Sequence, residues 1–93
     1  MASMEKFTQR ARRVLALAHQ EAENTHQGLI GTEHLLLGLL TEDGGVAGRV
    51  LRELGLETDR VREMVQRVSH EGHYESGKIE LAPDTQLVLE YAI

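Results

Sequence analysis

Three stretches of this 93-residue chain gather residue types able to do chemistry. The first, Gly72-His73-Tyr74-Glu75-Ser76-Gly77-Lys78-Ile79, has the glycine and lysine spacing of a loop that wraps phosphates with backbone N–H groups. That chemistry needs a hydroxyl after the lysine to hold magnesium, and Ile79 has none. It also needs a buried strand before the loop and a helix directly after it. Here an amphipathic helical pattern precedes the loop, and Pro83 arrives before the next helix. A flexible, glycine-containing linker fits better than a nucleotide site.

The second stretch holds His70, Glu71, His73 and Glu75. A structural zinc site takes four ligands, usually with cysteine among them, and a catalytic one takes three, held rigid by outer hydrogen bonds. Histidines three apart in a glycine-broken loop supply neither, so solvated side chains are expected and no metal or other cofactor. The third is Glu33-His34, whose side chains, adjacent on a helix, do not face each other as a general base and its partner must. Glu33 then reads as a carboxylate at a helix start, and His34 as a surface or partly buried imidazole. His19 and His26 are scattered. With no cysteine, no serine elbow and no carboxylate pair in a pocket-forming context, no catalytic residue is expected.

The elements that must position these groups are helices. Thr8 is a good cap for a first helix, on which Ala11, Val14, Leu15, Ala18 and Ala22 share one face. Asn24 to Gly28 is turn material. A second helix starts near Thr32, read as its cap, with Glu33 complementing the helix dipole. Leu35, Leu36, Leu37, Leu39 and Leu40 make that helix apolar on most sides, so it is expected to be central. Gly38 within it costs about 1 kcal/mol relative to alanine, which points to close helix–helix approach.

After the Gly44-Gly45 turn, a third helix carries Val46, Ala47, Val50, Leu51 and Leu54 on one face and ends at Gly55. Thr58 is read as the cap of a fourth, with Val61, Met64, Val65 and Val68 as its stripe. Ser69 to Gly77 reads as a loop, and Lys78 to Leu81 as extended. Pro83 suits the first position of a fifth helix running through Leu87, Val88 and Tyr91. No strand of convincing length is expected. The fold class is all-α.

Composition narrows the function. Ten basic against fifteen acidic residues leave a formal charge of −5, and only Phe7, Tyr74 and Tyr91 are aromatic. A nucleic-acid binder normally shows a basic surface and stacking platforms, so nucleic acid is not an expected partner. The apolar run from Leu35 to Leu40 is far short of the ~20 residues of a membrane span, so no membrane partner is expected either. Met4 to Arg13 is charged and no cleavage site follows, so no signal peptide is expected. A chain without cysteine fits a reducing compartment. The expected location is the cytoplasm.

Phe7-Thr8-Gln9-Arg10-Ala11, continuing Val14-Leu15-Ala16-Leu17-Ala18, resembles the opening of the Clp amino-terminal repeat. So does Ile30-Gly31-Thr32-Glu33-His34-Leu35-Leu36-Leu37-Gly38-Leu39-Leu40. Gly45-Val46-Ala47, Val50-Leu51 and Leu54-Gly55 match the third-helix region. The likeness covers residues 5 to about 68 and is greatest to the amino-terminal domain of ClpC-type unfoldases, AAA+ ATPases partnered with the ClpP protease.

The resemblance implies one domain over residues 1–93, with a first four-helix repeat at 5–69, a linker loop at 70–80 and the start of a truncated second repeat at 81–93. An offset of seventy-four residues pairs Phe7 with Leu81, Val14 with Val88, Leu15 with Leu89 and Ala18 with Ala92. Repeats bury their apolar faces on each other, so a half-missing neighbour is expected to leave apolar surface on helices two and five, inviting homo-oligomers. The resemblance also implies recruitment of protein substrates and adaptors, and in some members binding of phosphorylated arginine.

Matching residues make Thr8 and Glu33 the candidate ligand contacts. A helix start with a hydroxyl suits a phosphate, and a carboxylate suits a guanidinium. Helix capping is the plainer role for both. Ala82 stands where Thr8 stands in the first copy, so at most one such site is expected. The same repeat also suits a free-standing scaffold or regulator without an ATPase. A small hydrolase using the histidine loop, or a helix-turn-helix DNA binder, fits the residues less well.

Overall fold

The computed structural model describes residues 7–68 and 77–92. Within them the chain forms α1 (Gln9–Asn24), β1 (Leu29–Ile30), α2 (Thr32–Thr41), α3 (Val46–Glu53), α4 (Thr58–Val68), β2 (Glu80–Leu81) and α5 (Pro83–Ala92). Thr8 caps α1 as expected, its Oγ1 accepting from the Ala11 N–H at 3.1 Å. Gly55 ends α3 with φ +99°, a conformation that costs glycine little, and Pro83 opens α5.

α1 and α2 run antiparallel. Arg10 near the start of α1 reaches Glu42 just past the end of α2, whereas Ala18 and Ala22 pack with Ile30 just before its start. Gly38 sits where the two helices touch. A Cβ there would come within 2.5 Å of the Val14 carbonyl oxygen, so only glycine permits this approach. α2 is central, with α1, α3, α4 and α5 all against it. Leu37 and Leu40 form one core cluster with Val61 and Val65 of α4, while Ala18, Ala22 and Ile30 form another under Leu35, Ile79 and Leu81.

Several expectations need correction. Gly31, not Thr32, is the cap of α2, and Thr32 is already helical. Its side chain is therefore not placed to accept from the first turn. His34 takes part in that cap instead, its Nδ1 accepting from the Gly31 N–H at 2.9 Å. That bond draws the imidazole inside, so His34 is only 1% exposed. Thr58 likewise lies in the first turn of α4, which follows the Glu57 carbonyl. The fold is all-α apart from a two-residue parallel bridge of β1 with β2, Leu29 against Glu80 and Ile30 against Leu81.

The stripes on α3 and α4 are only half buried. α3 rests on α2 through Gly48, where a Cβ would strike the Leu39 carbonyl at 2.5 Å, and through Leu51. That contact rolls Val46, Val50 and Leu54 out to solvent, and α4 similarly exposes Met64 and Val68. On α5, Leu87, Val88 and Tyr91 are exposed. Beside them an apolar groove of about 260 Å³ runs between Phe7, Val14 and Leu15, Leu35 and Leu39, and Leu89.

Candidate functional site

The antiparallel hairpin of α1 and α2 decides where the two predicted ligand contacts lie. Thr8 stands at the end shared by the start of α1 and the close of α2. Glu33 stands in the first turn of α2, at the opposite end. Between Glu33 and Glu42, which faces Arg10, lie nine helical steps, or about 14 Å at the helical rise. One guanidinium–phosphate group is far smaller than that. Thr8 and Glu33 are thus not brought together, and the joint site expected from their pairing is corrected to two separate ends.

At the Thr8 end a groove of about 210 Å³ lies between the first turns of α1 and α3, with Ala11, Val14, Leu39 and Ala47 in its wall. Glu42 is buried beneath it and held by Arg10 Nη1 at 3.4 Å and Arg13 Nη1 at 3.3 Å. A carboxylate taken out of water needs such donors, because an unpaired buried charge costs several kcal/mol. Arg10 Nη1 also donates to the Asp43 carbonyl at 3.1 Å, bracing the turn that feeds α3. Sequence reading missed this cluster. Its one local trace is a carboxylate directly after an apolar helix, which says nothing about a partner thirty-two residues away.

At the Glu33 end, parallel pairing of β1 with β2 sets the starts of α2 and α5 side by side. The Ala82 N–H donates to the Ile30 carbonyl at 3.0 Å, and each strand leads straight into its helix. The Glu33 carboxylate is half-buried and folds back over Gly31, occupying the space a Cβ there would need. The helix start beside Glu33 therefore belongs to Ala82, the counterpart of Thr8 at an offset of seventy-four. It offers no hydroxyl, Pro83 offers no N–H, and the Thr85 N–H already donates to Asp84 Oδ1 at 3.0 Å. This end suits a cation better than an anion.

Two further ionisable groups sit near it. Burial pushes the His34 pKa down, and Glu33 and Glu21 oppose that shift only in part. Glu21, buried on α1, accepts from Arg62 Nη2 at 2.8 Å and Nε at 3.1 Å, and Arg62 Nη1 also reaches Asp59. The hydrogen bond to Glu21 raises the Arg62 pKa. This network ties α4 to α1.

No group of three or more histidine, cysteine, aspartate or glutamate side chains able to hold a metal occurs among the described residues. His70, Glu71, His73, Glu75 and most of the Gly72–Ile79 stretch lie outside the described residues. No described helix is long and apolar enough to cross a membrane.

Comparison with known proteins follows the fold. The family model for the Clp repeat N-terminal domain matches residues 6–93. The chain is 40% identical over 85 residues to the chaperone protein ClpB of Oceanobacillus iheyensis, covering 91% of this chain and 10% of that protein. It is 39% identical over 88 residues to the negative regulator of genetic competence ClpC/MecB of Bacillus subtilis, covering 95% and 11%. The chain thus spans about a tenth of the length of these curated relatives. The solved N-terminal domain of the caseinolytic protease associated chaperone ClpD of Arabidopsis thaliana superposes with a TM-score of 0.75 at 32% identity, over 97% of this chain and 63% of that one. With the family model matched over nearly the whole chain and the fold shared with a solved member, the chain belongs to the Clp repeat N-terminal domain family.

Proposed function

We propose that this domain recruits protein substrates and adaptors for a ClpC-like, ATP-driven unfoldase working with a ClpP-type protease in the cytoplasm. It contributes binding, and ATP hydrolysis belongs to the parent protein. The observation that carries the reading is a core closed around α2 that still leaves an apolar groove and rows of aliphatic side chains outward. Surfaces of that kind are built to be covered. The machine is suggested by the relatives, among them the ATP-dependent Clp protease ATP-binding subunit ClpC of Staphylococcus epidermidis. The same proposal divides the chain into a first repeat at 5–69, a linker at 70–80 and the start of a second repeat from 81, and it allows self-association through the groove and the outer face of α5.

Its finer part is recognition of phosphoarginine, with Thr8 and Glu33 as contacts in separate sites. Thr8 lies at a helix start with no acidic residue in the first turn, an arrangement that favours a phosphate. Glu33 is an acceptor for a guanidinium. Glu33→Ala is expected to weaken binding of a phosphoarginine peptide at least tenfold, or ~1.4 kcal/mol. Calorimetry on wild type and variant, with the unmodified arginine peptide as control, tests this. Equal affinities would remove Glu33 from the site.

A further inference from the structure

The groove between the first turns of α1 and α3 combines an apolar wall with nearby cations. Its floor is aliphatic, and Val46 and Val50, 67% and 44% exposed, carry the apolar strip onward along α3. Its rim is cationic. Arg10 lines the groove and Arg13 reaches the same buried Glu42 carboxylate from beside it; their side chains are 53% and 55% exposed, so two accessible cations face one buried carboxylate, with the exposed Asp43 next in the chain. The helix ends add to it. Among the described helices α2, α4 and α5 each carry a first-turn acid, Glu33, Asp59 and Asp84, whereas α1 and α3, whose starts flank this groove, carry none.

We infer that this groove docks an extended or helical peptide segment that presents an aliphatic side chain next to a carboxylate. The aliphatic group covers the floor and the Val46–Val50 strip, and the carboxylate meets Arg13 and Arg10 at the rim. A volume of about 210 Å³ holds one or two side chains rather than a cofactor, so the ligand is an anchor on a longer polypeptide. The inference rests on the reading of the chain as a substrate- and adaptor-binding domain, and it names the chemistry of an unmodified partner. A chain of net charge −5 repels acidic polypeptides at long range, so the local cationic rim selects where they land.

The test uses the 93-residue chain and three fluorescent probes: a capped octapeptide with two Leu–Glu pairs, the same peptide with glutamine for glutamate, and a phosphoarginine peptide. Anisotropy gives affinity, and amide chemical-shift mapping gives location. The Leu–Glu peptide is expected to bind at least fivefold more tightly than the Leu–Gln peptide and to shift the amides of Ala11, Ala47 and Gly48. Arg13→Ala and Val46→Ser should each weaken it at least fivefold, Arg13→Lys should restore much of the loss, and Arg67→Ala on α4 should change nothing. Val46 is exposed, so its variant folds even if loss of Arg13 disturbs Glu42. Equal affinity of the glutamate and glutamine peptides, or shifts confined to α5, would overturn the inference. If the phosphoarginine peptide binds and the Leu–Glu peptide does not, the inference falls and the recruiting role stands. If neither binds, nor unfolded casein, both fall.

Discussion

Replacing Gly38 by alanine sets two effects of opposite sign against each other. In an open helix the change would stabilise by about 1 kcal/mol, because alanine is the better helix former. Here the new methyl would lie 2.5 Å from the Val14 carbonyl oxygen, 3.2 Å from Val14 Cγ1 and 3.3 Å from the Ala18 nitrogen. Carbon–oxygen contacts settle near 3.3 Å, so α1 must retreat by roughly 0.8 Å. The obstacle is helix backbone and cannot rotate aside as a side chain would. Overpacking of this kind costs about 1–3 kcal/mol, and the retreat also loosens Ala18 and Ala22 over Ile30.

Net destabilisation of up to about 2 kcal/mol is expected, a large share of what a domain this small possesses. Urea unfolding followed by circular dichroism measures it as a lower midpoint at unchanged slope. Gly55→Ala is the control. Nothing lies within 4 Å of its Cβ, so it should lose about 1 kcal/mol through its φ of +99° alone, without disturbing the α1–α2 contact. A Gly38→Ala protein more stable than wild type would refute the close approach of the two helices.

Two more outcomes follow from buried charge. The His34 pKa is lowered in the fold, so below the ordinary imidazole value near 6.5 the unfolded chain takes up more protons than the native one. Stability should therefore be complete above that pH and fall as pH drops through it, levelling off only below the depressed native value. In His34→Gln, thermal unfolding across pH 5 to 7 should lose most of this slope, and an unchanged slope would assign it elsewhere. Arg62→Ala strands the buried Glu21 carboxylate and is expected to cost about 2 kcal/mol, short of the 3–5 of a fully enclosed pair because Arg62 is partly exposed. A companion Glu21→Gln change should recover part of that loss in the double variant.

What the sequence made legible was local. Thr8 as a cap, Gly55 as a stop and Pro83 as a start each depend on a few neighbouring residues, and each is found where expected. Gly38 was legible because a costly residue inside a leucine-rich helix demands a reason. The cap of α2 was not, since a threonine before a helix advertises itself and a glycine backed by a histidine three residues on does not. The buried faces of α3 and α4 are not legible for a related reason. Periodicity tells which residues share a side, but Gly48 against the Leu39 carbonyl decides which side meets α2.

The candidate site divides the same way. The family motifs pointed to Thr8 and Glu33, yet motifs carry no distances, and the antiparallel turn between α1 and α2 sends the two residues apart. The Arg10–Glu42–Arg13 cluster and the Glu21–Arg62 pair are contacts across twenty-nine to forty-one positions, beyond any local pattern.

The two-residue strand bridge has a consequence for the order in which the molecule comes undone. It joins segments about fifty positions apart, so its closure sacrifices much more chain freedom than the neighbouring α1–α2 turn does. α5 is held mainly by this bridge and by the flank of α2. Amide protons of Ala82 and Gln86 should therefore exchange with solvent through a partial opening in which α5 parts from α2, while those of α2 wait for global unfolding. In that excursion Leu89 would leave the apolar groove and lay bare Leu35 and Leu39 to whatever polypeptide is near.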